Sequence, residues 1–246
     1  VQTPAGLRYA VEEGALWRVL EAAPWESMKP TGETVPVALA RLGVPVLASK
    51  VVAVGQNYGQ HAAEMGKPVP VEPLIFLKPS TALNAHERPI VIPAASQEVH
   101  HEAELALVIG KVLKGADEAE AAAGIFGLSC FNDVTARDIQ KREVQHTRAK
   151  SYDTFACLGP WVVTGVAAGD LRIVARVNGT VKQDSRTSDM IFSAPRLVSF
   201  ISSVMTLLPG DVVSTGTPSG VGAVHEGDMV EIDIEGIGVL RNPVTR

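Results

Sequence analysis

The sequence lacks the features that mark several common function classes. Cysteine occurs only twice, as Cys130 and Cys157, too few for a disulfide framework or a zinc cluster. Both stand in apolar surroundings, "GLSCFND" and "TFACLGP", and read as small core residues in a protein of the reducing cytoplasm. No apolar stretch approaches the roughly 18 uncharged residues that a membrane span needs. No basic run occurs and the net charge is −5, which argues against nucleic acid or a membrane surface as the partner. Small anions stay open, because a local cation outweighs a weak overall balance. The opening "VQTPAGLRYAVEEG" has no basic-then-apolar signal-peptide pattern, although a chain that opens on Val says nothing of what preceded it. No G-x-S-x-G nucleophile elbow is found. "GTPSGVG" carries Gly216, Gly220 and Gly222 but no Lys-Ser/Thr and opens no clear helix. It reads as a backbone-lined loop rather than a phosphate loop.

What is present is ample apolar material, 46% of 246 residues, enough for a sizeable core. Residues 1–45 look like a small N-terminal appendage: "LRYAVEEGALWRVL" gives two short strands around a Glu-Glu-Gly turn, and "VPVALARLG" a small helix. From residue 46 onward the patterning strengthens. "KVVAVGQNY", "PLIFLKPS", "AELALVIGKVL" and "IFGLSCFND" read as strands, and "YGQHAAEMG", "DEAEAAAG", "VTARDIQKREVQ" and "APRLVSFISSVMTLL" as helices. "LRIVARVNGTVKQDS" holds Asn178-Gly179, a strong hairpin signal, and "GDMVEIDIEGIGVLRNPV" reads as a β meander. Strands outnumber helices and mostly do not alternate with them, so the expected class is a β-rich α+β fold.

The stretch "HHEAELALVIG" raises a chemical question. Glu102 and Glu104 are two apart on a strand and share a face. Adjacent carboxylates repel unless a cation holds them. Alone the pair reads equally well as a solvated strand end. Asp133 ends another apolar run, where an ionised group is costly unless paired or metal-bound. Three hard oxygen ligands without cysteine suit Mg²⁺, Mn²⁺ or Ca²⁺ and leave about three coordination positions for substrate and water. His100 and His101 read as structural, since no H-E-x-x-H spacing exists and His101 should point away from the glutamates. In "NYGQHAAEMG", His61 and Glu64 are neighbours on one helical face. A carboxylate beside an imidazole can orient it to deprotonate water, though such a pair is also an ordinary surface contact.

Six segments in order, "VGQNYGQHAAEMG", "PLIFLKPSTA", "HHEAELALVIG", "FNDVTARDIQ", "RAKSYDT" and "STGTPSGVG", resemble the fumarylacetoacetate hydrolase family from about Lys50 onward. The likeness is greatest to its short branch acting on acylpyruvates, oxaloacetate and related ring-cleavage products. The resemblance implies a mixed β-sandwich roll and a catalytic domain over residues 46–246. It implies Glu102, Glu104 and Asp133 as Mg²⁺ or Mn²⁺ ligands, His61 and Glu64 as the water-activating dyad, and Lys150 as a cation beside metal and substrate. Tyr58, Lys78, Arg137, Gln140 and Thr217 fall on substrate-side positions. A homodimer acting on a small anionic oxo acid is also implied. Two positions depart from the family pattern: Gln56 stands where arginine is common, and Gln60 where aspartate is common. The activity so implied is metal-dependent hydrolysis of a carbon–carbon bond in a β-diketo acid. Isomerisation of a hydroxy-dienedioate and oxaloacetate decarboxylation are alternatives on the same site, and a non-catalytic metal-dependent binding protein is a more remote one.

Overall fold

The computed structural model describes residues 1–59 and 69–246. Its centre is a seven-stranded sheet in the order Leu74–Lys78, Val51–Gly55, Val212–Ser214, Ala103–Ile109, Ile125–Asp133, Ala156–Val163 and Leu83–Asn84. A five-stranded sheet follows the order Thr180–Arg186, Arg172–Val177, Met229–Ile234, Gly238–Thr245 and Ile90–Val91. The fold is the strand-rich α+β class expected.

The strand Ala103–Ile109 shows why the sequence folds this way. Every residue in it is buried, and alternate side chains serve different cores. Leu105, Leu107 and Ile109 join the main cluster with Ile173, Ala175, Ile232 and Leu240 of the five-stranded sheet. Ala106 and Val108 join a second cluster with Phe131, Leu158, Val212 and Val51. A strand covered on both faces needs an unbroken apolar run rather than alternation. Glu104 has the parity of Ala106 and Val108 and leaves the sheet on their side.

The helix Glu118–Gly124 begins with a capping box between Asp117 and Glu120, and Ala194–Val204 begins at Ser193, whose side chain accepts from Arg196 N. Leu197, Val198 and Ile201 form its buried stripe. The "VTARDIQKREVQ" helix is shorter than expected, Arg137–Arg142, because Glu143 is already extended.

The N-terminal strands Ala10–Glu13, Leu16–Leu20 and Pro30–Pro36 form their own three-stranded sheet. Trp17 meets Trp161 at 6.2 Å between ring centroids, and Trp25 meets Phe126 edge-on at 5.8 Å. The helix expected in "VPVALARLG" is only a 3₁₀ turn, Val37–Leu39, with none of its residues buried. Without an apolar face to pack, so short a segment does not repay the cost of helix nucleation.

Candidate active site

Two antiparallel strands bring the acids together. The ladder pairs Ala103 with Asn132 and Glu104 with Phe131. It is extended by Asp133 N donating to the Glu102 carbonyl at 2.9 Å. Glu102 N donates to Asn132 Oδ1, also at 2.9 Å. Register alone therefore gathers Glu102, Glu104 and Asp133, each with a carboxylate oxygen within 4.8 Å of the others'. All three are buried.

Buried carboxylates so close together demand compensation. Lys150 Nζ donates to Glu102 Oε2 at 2.7 Å and to Asp133 Oδ2 at 2.5 Å. Lys78 Nζ pairs with the other Asp133 oxygen, and donates to the Val134 carbonyl at 3.3 Å. The Arg137 guanidinium pairs with Glu102 and Gln140, while its Nε donates to His100 Nδ1 at 3.3 Å. The two lysines respond oppositely to burial. For Lys78 burial outweighs Asp133 and lowers the pKa. For Lys150 burial is overcome by Asp133, Glu102 and Glu104, so the pKa rises and the ammonium is kept.

Glu104 is held differently. Its Oε2 accepts from the Ser214 hydroxyl and from Gly216 N, the latter at 2.9 Å, and no described residue donates to its other oxygen. Burial, then the charge of Asp133, pushes its pKa up to about 8. A buried carboxylate with one open oxygen, beside two others, fits a hard divalent cation. Addition of Mg²⁺ or Mn²⁺ at a hundredfold excess over its Kd should stabilise the fold by about 2.7 kcal/mol, read as a rise in melting temperature. No rise with either ion would count against the triad as a metal site.

The acids open on a cavity of about 340 Å³ lined by Glu102, Glu104, Arg137, Gln140, Lys150 and Thr217. Phe76 and His146 form another part of the wall. Phe76 lies 5.2 Å from Lys150 Nζ and meets His146 edge-on at 5.4 Å. Thus Lys150, Arg137, Gln140 and Thr217 share one cavity with two of the acids. Lys78 does not line it but sits fully buried against Asp133. Tyr58 is also buried outside the lining, with its pKa raised by burial and then by Glu104. His61 and Glu64 lie outside the described residues. Gln56 lines the cavity. Phe76, His146 and the amide of Asn132 were not anticipated from sequence, because none carries a local signal.

The family model described as "Fumarylacetoacetate (FAA) hydrolase C-terminal" matches residues 50–245. The chain belongs to the fumarylacetoacetate hydrolase family. A second model, "Rv2993c-like, N-terminal", matches residues 1–45. Among solved structures, 5-carboxymethyl-2-hydroxymuconate delta-isomerase from Mycobacterium smegmatis is 48% identical with a TM-score of 0.91, covering 100% of this chain and 96% of that one. Fumarylpyruvate hydrolase from Pseudomonas aeruginosa, solved with Mn²⁺ and pyruvate, is 31% identical with a TM-score of 0.77, covering 87% and 92%. The mitochondrial oxaloacetate tautomerase FAHD1 of Bos taurus is 40% identical over 203 residues, 80% of this chain and 91% of its own length. The family thus includes proteins named for isomerisation, hydrolysis and tautomerisation, all on small oxo acids or their enol forms. Among the described residues, no helix is long and apolar enough to cross a membrane.

Proposed function

We propose that this fumarylacetoacetate hydrolase family member is a divalent-metal-dependent enzyme that cleaves a carbon–carbon bond in a small β-diketo acid of the acylpyruvate type. The observation that carries this reading is the buried carboxylate triad, two of whose members line a cavity that also presents Lys150 and Arg137. In this reading residues 46–246 form the catalytic domain and residues 1–45 an appendage. Glu102, Glu104 and Asp133 would hold the ion, whose Lewis acidity stabilises negative charge on a substrate oxygen.

The chain's own groups supply the rest. Arg137, paired with Gln140, offers a planar cation to a substrate carboxylate. His61, oriented by Glu64, takes a proton from water, which attacks the distal carbonyl. The carbon–carbon bond then breaks, its electron pair passing to a pyruvate enolate that takes up a proton to give pyruvate. Lys150, kept as an ammonium beside two carboxylates, stands where that enolate charge develops and does not reorganise to meet it.

A second reading, isomerisation or tautomerisation through the same enolate, is favoured by the whole-chain similarity to the M. smegmatis isomerase. It moves a proton between carbon and oxygen, or between carbons, and needs no water. Acetylpyruvate, fumarylpyruvate, oxaloacetate and a hydroxy-dienedioate, each offered with Mg²⁺, separate the readings, with oxaloacetate also scored for loss of CO₂. On the hydrolytic reading His61→Ala loses about 10²–10⁴-fold in acylpyruvate cleavage, with Mg²⁺ affinity retained. Undiminished cleavage in that variant removes the dyad from the mechanism. Faster turnover of the dienedioate than of either acylpyruvate would favour the isomerase reading.

A further inference from the structure

The hairpin Arg172–Val177 to Thr180–Arg186 belongs to the five-stranded sheet, yet one of its residues reaches the site. The register shifts so that Ala175 pairs with Gln183 and Arg176 with Val181, leaving Lys182 as the extra residue. The flanking side chains of Lys182 and Asp184 are exposed, while Gln183 is 1% exposed. A bulge re-aims side chains in this way.

Its amide is completely used. Oε1 accepts from Ala103 N at 3.0 Å and meets His101 Nδ1 at 3.1 Å. Nε2 donates to the Pro218 carbonyl and to Thr217 Oγ1, both at 2.8 Å. A backbone N–H only donates and a carbonyl only accepts, so these two partners fix which end of the amide is oxygen. Two consequences follow. His101 carries its proton on Nδ1, and Thr217 Oγ1 receives a hydrogen bond from Gln183. A threonine hydroxyl has a single proton to give, and no described residue accepts it. Thr217 lines the cavity beside Glu104 and Lys150.

The loop bearing Thr217 is pressed against both neighbours. Gly216 N is tied to Glu104. At Gly220, φ is +93° and an added Cβ would lie 2.2 Å from the Lys182 carbonyl oxygen, so only glycine lets the loop meet the bulge. Loop and hairpin are thus held in contact from the metal-ligand strand to the bulge.

We propose that Gln183 is a positioning residue that commits the Thr217 hydroxyl to donate into the cavity, making it a donor for a carboxylate or carbonyl oxygen of the substrate. This rests on the oxo-acid reading above. The test uses oxalate binding with Mg²⁺, followed by calorimetry, together with KM and kcat for whichever oxo acid is turned over. Gln183→Glu keeps the size and the acceptor for Ala103 N. It replaces the donor by an oxygen that draws the Thr217 proton away from the cavity. Oxalate affinity should fall about 10- to 100-fold, with KM rising more than kcat falls. Thr217→Val should lose a similar amount and Thr217→Ser should recover it. The double variant should be no worse than either single one, because one hydrogen bond is removed twice. Additive losses, or full oxalate affinity in Thr217→Val, overturn the proposal. Thr217→Val and Thr217→Ser decide it even if Gln183→Glu fails to fold. No Mg²⁺-dependent oxalate binding by the unaltered chain overturns the oxo-acid reading and this proposal with it.

Discussion

Asp133→Asn should abolish Mg²⁺ binding and turnover together, and should cost about 3–5 kcal/mol of stability. The size of the second effect comes from the cations behind the triad. Asp133 accepts from both Lys78 and Lys150, and Lys78 is fully buried. Removing the carboxylate charge leaves Lys78 with the Val134 carbonyl, 3.3 Å away. An uncompensated buried ammonium is far more costly than a broken surface pair. Urea unfolding without added metal measures the stability loss, and titration calorimetry the ion. Asp133→Asn combined with Lys78→Met should recover much of the stability and none of the activity. A loss under about 1 kcal/mol, in the range of surface pairs, or unchanged Mg²⁺ affinity would sink this account of the triad.

Lys150→Met should separate binding from chemistry. Its ammonium donates to Glu102 and Asp133, so it competes with a metal ion for the same oxygens. Removing it should leave Mg²⁺ affinity intact or higher. Turnover should nevertheless fall about 10²–10³-fold, as when a preorganised donor to a developing oxyanion is deleted. The methionine keeps the apolar stem against Phe76, so the wall of the cavity is preserved. Turnover within a few-fold of the unaltered chain would remove Lys150 from the enolate step. A parallel collapse of Mg²⁺ binding would make it a structural partner of the ligands instead.

The triad was legible in sequence because a carboxylate at the end of an apolar run is energetically conspicuous. Glu102 and Glu104 lead into one such run and Asp133 ends another. The place of Lys78 behind Asp133, outside the cavity lining, was not legible, for the converse reason. A lysine at a strand end usually extends its ammonium into water, and nothing nearby in sequence reveals that Asp133 waits 55 positions on. Gln183 was invisible on the same grounds, since its partners Ala103 and Thr217 are brought to it only by tertiary structure. The strand order of the sheets is likewise non-local, although the strands themselves were readable from apolar runs. The helix expected near Val37 failed because propensity and periodicity over a few residues do not guarantee a surface to pack against.

The pairing of three carboxylates with three buried cations has a thermodynamic consequence. Once an arriving ion displaces the proton that Glu104 holds with its pKa pushed up to about 8, Glu102, Glu104, Asp133, Lys78, Arg137 and Lys150 sum to no net charge. The divalent cation alone leaves two uncompensated positive charges among these buried groups, and a dianion alone leaves an excess of negative charge. Together they restore neutrality. Ion and dianion should therefore bind with positive linkage, each raising the other's affinity by the same factor, so the cation would be held most tightly when the oxo acid is present.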